Sequence, residues 1–176
     1  GKQGQTVPVL NPYAYGNAWF VDKVQYVDNA NQEIEALNSI LPTETAVVDA
    51  RFKDVLKGAT AGYQDSLSTI RLTSYEPNRL VYETENAKDG IAVFSEIYYP
   101  DGWQVTIDGK PAKIARADYI LRTMYVPAGK HTIEMRFDPT SLHVTEGIAY
   151  GALALLVIGV IAIVLIAKKR MRTTLQ

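Results

Sequence analysis

After residue 66, apolar and polar residues alternate along the chain with a period of two. This alternation is typical of strands that bury one face. Turn-forming residues separate these strands, and Asp108-Gly109 is the clearest turn because a type I′ hairpin needs positive φ at both central positions. The pattern predicts a mainly β fold, with an antiparallel β-sandwich over residues 66–138. The side chains expected to point inward are Trp103, Val105, Ile107, Ile133, Met135 and Phe137.

The first 65 residues show a different pattern, which predicts a lead-in followed by a small α/β subdomain. Aromatic and β-branched residues indicate a strand, and a capping residue before apolar residues at helical spacing indicates a helix. The predicted elements are a lead-in (1–17), a strand (18–27), a helix capped by Asn29 with Ile34, Leu37 and Leu41 on its apolar face, a return strand (46–49) and a loop (51–65).

Residues 147–167 form an uninterrupted apolar run of 21 residues. As a helix rising about 1.5 Å per residue, the run would span about 31 Å, which matches a hydrocarbon core of about 30 Å. The alternative, a buried helix of a globular protein, fits poorly because such helices rarely lack a polar face over this length. We therefore predict a juxtamembrane linker (139–146), one transmembrane helix (147–167) and a basic tail (168–176).

Charge is distributed unevenly along the chain. Residues 1–146 carry 14 basic and 19 acidic residues, a net charge of −5, and four basic residues follow the apolar run. Because basic residues beside a membrane span are retained in the cytoplasm, we expect a cytoplasmic C-terminus in the bacterial cytoplasmic membrane. The acidic body would then lie outside, in the periplasm or at the cell surface. The residues expected to set this topology are Lys168, Lys169, Arg170 and Arg172.

A body outside the cytoplasm needs an upstream segment to translocate it, and the chain starts at Gly1 without a targeting sequence. We therefore expect the C-terminal piece of a longer, polytopic membrane protein. Its expected partners are the lipid bilayer and the upstream transmembrane helices of the same protein.

Composition excludes several kinds of functional site. Without cysteine, the chain has no disulfide, thiolate zinc site or cysteine nucleophile. Neither His131 nor His143 has an evident partner in the sequence, and a pair of His143 with Glu146 would supply too few ligands for a metal. No Gly-x-Ser-x-Gly elbow, P-loop or nucleic-acid-binding basic stretch occurs. We expect no catalytic residue, metal, cofactor or nucleic acid for this segment.

An aromatic turn with Tyr98, Tyr99 and Trp103 lies between two predicted strands. Flat aromatic faces can stack on the C–H surfaces of a sugar, so these residues are candidates for carbohydrate binding. Alternatively, Trp103 belongs to the core, since it shares its strand parity with Val105 and Ile107.

A second candidate is the charged connection formed by Arg116, Asp118, Tyr119 and Arg122. Two guanidinium groups could bind a phosphate or a carboxylate, such as the head group of an anionic lipid or of a pyrophosphate carrier. The alternative is a hairpin connection with an internal Asp–Arg pair on a solvated face, which would add little stability.

Several short motifs stand out together along the chain. They are Tyr98-Tyr99-Pro100, Gly102-Trp103, Ile107-Asp108-Gly109, Ala117-Asp118-Tyr119-Ile120-Leu121-Arg122, Val126-Pro127-Ala128-Gly129-Lys130-His131 and, upstream, Gly16-Asn17-Ala18-Trp19-Phe20-Val21. In combination they resemble the YfhO family of bacterial membrane proteins. The resemblance implies a polytopic protein with a glycosyltransferase-C-like membrane region that transfers sugars from a polyprenyl-phosphate carrier to cell-envelope polymers. It implies a catalytic acid in early loops near the N-terminus of such proteins, so no catalytic residue is carried over to this chain.

Two functions remain open at this point. The first is a non-catalytic domain of an envelope glycosyltransferase-like protein that positions a lipid-linked sugar or an acceptor polymer. The second is a purely structural or protein-interaction module without a ligand. An independent hydrolase is the weakest alternative, because no acid/base constellation stands out among the 19 carboxylates.

Overall fold

The structure, a computed structural model, describes residues 14–62 and 67–174. It divides into a β-rich body that ends at Phe137 and a helical unit that starts at Asp138. Parts of four predicted segments lie outside the described residues, namely 1–13 of the lead-in, 63–65 of the loop, residue 66 of the sandwich and residues 175–176 of the tail, together with the side chains of Lys169, Arg170 and Arg172.

Strands dominate the body, which confirms the predicted mainly β fold. The helices are α1 (Ala30–Ala36), a 3-10 turn (Ala50–Phe52) and α2 (Thr140–Thr174). The strands are β1 (Ala18–Val21), β2 (Lys23–Val27), β3 (Thr45–Asp49), β4 (Thr69–Glu76), β5 (Arg79–Asn86), β6 (Gly90–Ile97), β7 (Trp103–Ile107), β8 (Lys110–Ala112), β9 (Ala115–Ala117), β10 (Leu121–Val126) and β11 (Gly129–Phe137).

Six strands form the first sheet, in the order β1-β6-β10-β9-β3-β2. β2 and β3 pair in parallel across helix α1, as the predicted β-α-β unit requires. β1 and β2 occupy opposite edges although only Asp22 separates them, so the sheet must curl until its edges meet. The expected subdomain over residues 1–65 is therefore not a separate layer, because strands from both sides of residue 65 share this sheet.

The other five strands form a second sheet, in the antiparallel order β4-β5-β11-β7-β8. The β7–β8 hairpin turns at Asp108 and Gly109, whose φ values of 51° and 74° match the predicted type I′ turn. This sheet packs on the outer face of the curled sheet and completes the sandwich.

The core between the two sheets contains Tyr82, Phe94, Met124, Ile133 and Met135, all with no exposed surface. Of the side chains predicted to point inward, Val105, Ile133 and Met135 are buried, and Trp103 and Ile107 pack half-buried against the same core. The prediction is wrong for Phe137, which is 36% exposed. Phe137 is the last residue of β11, where the sheet no longer covers it.

A second core fills the concave face of the curled sheet, with Val21, Val48 and Val93 among its members. The segment after β3, expected to be only a loop, closes this core with the fully buried side chain of Leu56. Gly62 then donates its N–H to the carbonyl of Asp22, at 2.8 Å, where the two sheet edges meet.

Helix α1 begins where the sequence predicts, since the Asn29 side chain accepts a hydrogen bond from the N–H of Gln32. The predicted apolar face is wrong, because Ile34 and Leu41 are 49% and 60% exposed. The helix ends at Ala36 and therefore does not include Leu37 or Leu41. The residue that it buries is Glu33.

Helix α2 is 35 residues long and contains the predicted transmembrane run. Its stretch Thr140–Lys168 is long and apolar enough to cross a membrane. The expected linker at 139–146 is helical from Thr140 onward, so the helix starts seven residues before the apolar run that begins at Gly147.

Candidate functional site

A cleft of about 480 Å³ opens at one end of the β-rich body. It lies where β6 ends, where β9 turns into β10 and where the 3-10 turn follows β3. We call it the arginine–aromatic cleft. Its lining residues are Arg51, Phe52, Ile97, Tyr98, Pro100, Arg116, Tyr119 and Ile120.

A buried ion pair joins helix α1 to this cleft. The Nη2 atom of Arg116 lies 2.6 Å from the Oε2 atom of Glu33, whose side chain has no exposed surface. The other Glu33 oxygen accepts the backbone N–H of Tyr119 at 2.9 Å. Because a buried carboxylate must be paired and hydrogen-bonded, these contacts fix Arg116 and the turn beside it. The Nε of Arg116 has no partner among the described residues.

The turn between β9 and β10 is conformationally strained. Asp118 and Tyr119 have φ values of 51° and 73°, in the left-handed region that non-glycine residues rarely adopt. Asp118 is held there by the backbone N–H of Val47, which donates to its Oδ1 at 2.8 Å. This interaction ties the turn to β3, and the turn presents the Tyr119 ring to the cleft.

Burial raises the pKa of Asp118 to about 6, since a buried carboxylate loses its hydration. The hydrogen bond from Val47 acts in the opposite direction, and the nearby charge of Glu33 raises the pKa further. The Oδ2 atom of Asp118 is buried and accepts no hydrogen bond within the described part of the chain. Asp118 is therefore an internal acid beside the cleft.

Arginine and aromatic side chains form the opposite wall. The guanidinium carbon of Arg51 lies 4.8 Å from the centre of the Phe52 ring, and the edge of that ring meets Tyr98 at 5.5 Å between ring centres. Asp49 orients Arg51, with 3.4 Å between its Oδ2 and the Arg51 Nε, and its Oδ1 accepts the backbone N–H of Arg51. The Arg51 side chain remains 58% exposed.

The structure brings together only part of the predicted site. Tyr98, Arg116 and Tyr119 line the cleft, Tyr99 lies in the adjoining loop and is 53% exposed, and Asp118 is buried behind the turn. The expected Asp–Arg pair does not form, because Arg116 pairs with Glu33.

Arg122 and Trp103 lie away from the cleft, inside the sandwich. The Arg122 guanidinium stacks over the Trp103 ring with 3.9 Å to the ring centre, and its Nε donates to the Ile97 carbonyl at 3.0 Å. Burial lowers the pKa of Arg122, which is 3% exposed. Arg116 and Arg122 therefore do not converge on one anion, and Trp103 packs against the core rather than offering a free face.

The sequence did not single out Glu33, Arg51 or Phe52. In the sequence, Glu33 looks like a polar residue on an exposed helix face. Its partner Arg116 is 83 residues away, so no local pattern indicates the pair. Arg51 and Phe52 follow directly after the buried run 46–49, so a polar and aromatic pair at the end of a buried strand is the signal that could have indicated them.

Both histidines have carboxylate partners that the sequence did not predict. The Nδ1 of His131 lies 2.6 Å from the Oδ2 of Asp108, which raises the pKa of His131, and the Nε2 of His143 lies 2.6 Å from the Oδ1 of Asp138. His131 lines a polar groove of about 510 Å³ on the second sheet. Charges there are paired, as with Arg71–Glu83 and Lys130–Glu85, so the groove is a weaker candidate than the cleft.

The cleft lies at the end of the body from which the chain continues into α2. Trp103 at the start of β7 pairs with Phe137 at the end of β11. The loop that precedes Trp103 carries Tyr98, whose N–H donates to the Ile120 carbonyl at 2.7 Å. We call this end, with Phe137, the exit end.

A family model described as bacterial membrane protein YfhO matches residues 56–149. The matched region includes Tyr98, Arg116 and Tyr119 of the cleft, whereas Glu33, Arg51 and Phe52 precede it. No curated protein and no solved structure matches the chain.

Proposed function

Since this chain belongs to the YfhO family of bacterial membrane proteins, we propose that its β-rich body is a non-catalytic domain on the outer side of the membrane. In this proposal the domain holds a lipid-linked sugar, or the polymer that accepts the sugar, in the arginine–aromatic cleft. The sugar transfer itself would occur in a glycosyltransferase-C-like membrane region of the parent protein, as the family resemblance implies.

The proposal rests on the combination of arginine and aromatic side chains that line the cleft at the exit end. Arg51 and Arg116 bring guanidinium groups that can donate hydrogen bonds to phosphate oxygens. Phe52, Tyr98 and Tyr119 supply aromatic surface for a sugar ring or an isoprenoid chain. A ligand that combines a phosphate, a sugar and an apolar chain would use all three kinds of contact.

The buried acids beside the cleft support a binding role rather than a catalytic one. Glu33 is neutralised by Arg116 and accepts a backbone N–H, and Asp118 is turned toward Val47. Glycoside chemistry requires two carboxyl groups that reach the reacting bond from either side, whereas Glu33 and Asp118 are buried, with 0% and 7% of their surface exposed. Glu33 and Asp118 instead hold the wall of the cleft in place.

Binding can be measured with the 176-residue chain in lipid nanodiscs, titrated with a farnesyl-phosphate-linked hexose and, separately, with farnesol and with the free hexose. We expect binding of the phosphate-linked sugar and weaker binding of the two partial ligands. Arg51→Ala should weaken binding about tenfold or more, because it removes a charge-assisted interaction. Arg71→Ala, on the outer face of the second sheet, is the matched control and should bind normally.

Equal affinities of Arg51→Ala and Arg71→Ala would contradict the proposed site. If none of the probes binds to the unmodified chain, the structural or protein-interaction alternative is favoured instead.

A further inference from the structure

Three large apolar or aromatic side chains are exposed around the mouth of the cleft. Ile97 is 69% exposed, Tyr99 53% and Ile120 48%. Ile97 and Ile120 line the cleft, and Tyr99 follows Ile97 by two residues in the loop that leads to β7. We call these three residues the apolar tip. Apolar groups grouped at one end of a domain mark an interaction surface.

Chain connectivity limits how far the exit end can lie from the first residue of α2. The apolar tip is at the exit end, and only Asp138 and Pro139 separate Phe137 from the first residue of α2. The three steps from Phe137 to Thr140 can extend the chain by no more than about 11 Å. The exit end is therefore covalently held close to the start of the apolar helix.

The length of that helix sets the level of its first residue in the bilayer. The candidate span Thr140–Lys168 has 29 residues. At about 1.5 Å per residue it measures about 44 Å, which is the thickness of a bilayer with its head-group layers. The apolar run begins at Gly147, seven residues after Thr140, so Thr140 lies about 10 Å outside the hydrocarbon core, at the outer edge of the head-group layer.

We propose that the apolar tip inserts into the head-group region of the phospholipid bilayer, as a second contact of the body with the membrane besides α2. Tyrosine prefers this layer because its ring is apolar and its hydroxyl remains hydrated, and isoleucine side chains gain by burial at the acyl boundary. The cleft would then open at the lipid surface. The proposal does not depend on whether the cleft binds a ligand.

Because the chain has no cysteine, single-cysteine variants can report the surroundings of each site. Ile120→Cys and Tyr99→Cys probe the tip. Lys110→Cys and Ala128→Cys are matched controls, since both residues are exposed beyond the other ends of β7 and β10, Lys110 as the first residue of β8 and Ala128 just before β11. Each 176-residue variant is labelled with an environment-sensitive fluorophore and reconstituted into phosphatidylcholine–phosphatidylglycerol vesicles, with and without lipids brominated near the head group.

We expect a blue shift and quenching by the brominated lipids at positions 120 and 99, and neither effect at 110 and 128. Adding Ile97→Asp to the Ile120→Cys variant should reduce the quenching several-fold, whereas adding Arg71→Ala, an exposed charge on the second sheet, should leave it unchanged. Because the vesicles contain no lipid-linked sugar, quenching at position 120 reports contact with lipid and separates the proposal from ligand binding in the cleft. Labels at positions 120 and 99 that stay as exposed to water as the controls would overturn the proposal. Labels that are shielded from water but not quenched by brominated lipid, in chains that cross-link to each other, would overturn it too, because a second copy would then cover the tip.

Discussion

At the residue scale, the buried acids Glu33 and Asp118 differ in how many partners their carboxyl groups have. Glu33 has Arg116 and a backbone N–H as partners, which offset the loss of hydration. Asp118 has one backbone N–H, and its second oxygen lacks a partner within the described residues. The pKa of Asp118 is therefore raised to about 6.

A raised carboxyl pKa makes the folded state bind more protons than the unfolded state between about pH 4 and pH 6. In this window the contribution of Asp118 to the free energy of unfolding falls as pH rises, and at neutral pH its charge destabilises the fold. Asp118→Asn removes that charge, and asparagine tolerates the left-handed backbone at this position.

We expect Asp118→Asn to increase the free energy of unfolding at pH 7.5 by about 1 to 3 kcal/mol, with a smaller gain at pH 4.5. Denaturation of the body, followed by circular dichroism at both pH values, measures the difference. The exposed Asp54→Asn serves as control and should change stability equally little at both values. A variant less stable than the unmodified chain at pH 7.5 would show that Asp118 is needed in its ionised form.

At the element scale, the closure of the curled sheet depends on one glycine. Gly62 lies where the segment after β3 crosses the junction of β1 and β2, and it donates a hydrogen bond to Asp22 there. A Cβ atom added at Gly62 would overlap the carbonyl oxygen of Val21. Backbone atoms cannot move aside as a flexible side chain would, so the segment itself would have to shift.

Gly62→Ala should therefore lower the free energy of unfolding by about 3 kcal/mol, at the upper end of the cost of overpacking. The neighbouring exposed position supplies a control, Ala61→Ser, for which we expect a change below about 0.5 kcal/mol. Chemical denaturation of both variants tests the expectation. Equal stability of the two would mean that the sheet edges meet more loosely than described.

At the scale of the whole molecule, the charges that flank α2 are expected to determine which side of the membrane the body occupies. The body is acidic and the basic residues follow the apolar run. An alkaline phosphatase reporter, active only outside the cytoplasm, should be inactive when fused after Gln176 and active when fused before residue 14. Replacing the four basic residues Lys168, Lys169, Arg170 and Arg172 with glutamine should weaken this bias. An active reporter after Gln176 in the unmodified chain would reverse the proposed orientation.

The sequence alone determined the strands, their turns and the membrane helix. These follow from local signals, such as the period of two from Trp103 to Ile107, the positive φ required at Asp108-Gly109 and the length of the apolar run. The family could also be recognised from the sequence, because its motifs lie in those same strands and turns.

The tertiary structure decided what depends on residues far apart in sequence. It pairs β1–β3 with later strands, closes the curled sheet with Leu56 and Gly62, and joins Glu33 to Arg116 across 83 residues. The side chain of Arg122 also lies inside the sandwich whereas Arg116 lines the cleft, although their strands, β10 and β9, pair with each other. A local pattern tells which face of a strand is apolar. Only packing determines which partner covers that face, and hence which charged side chains are left at a surface where they can bind.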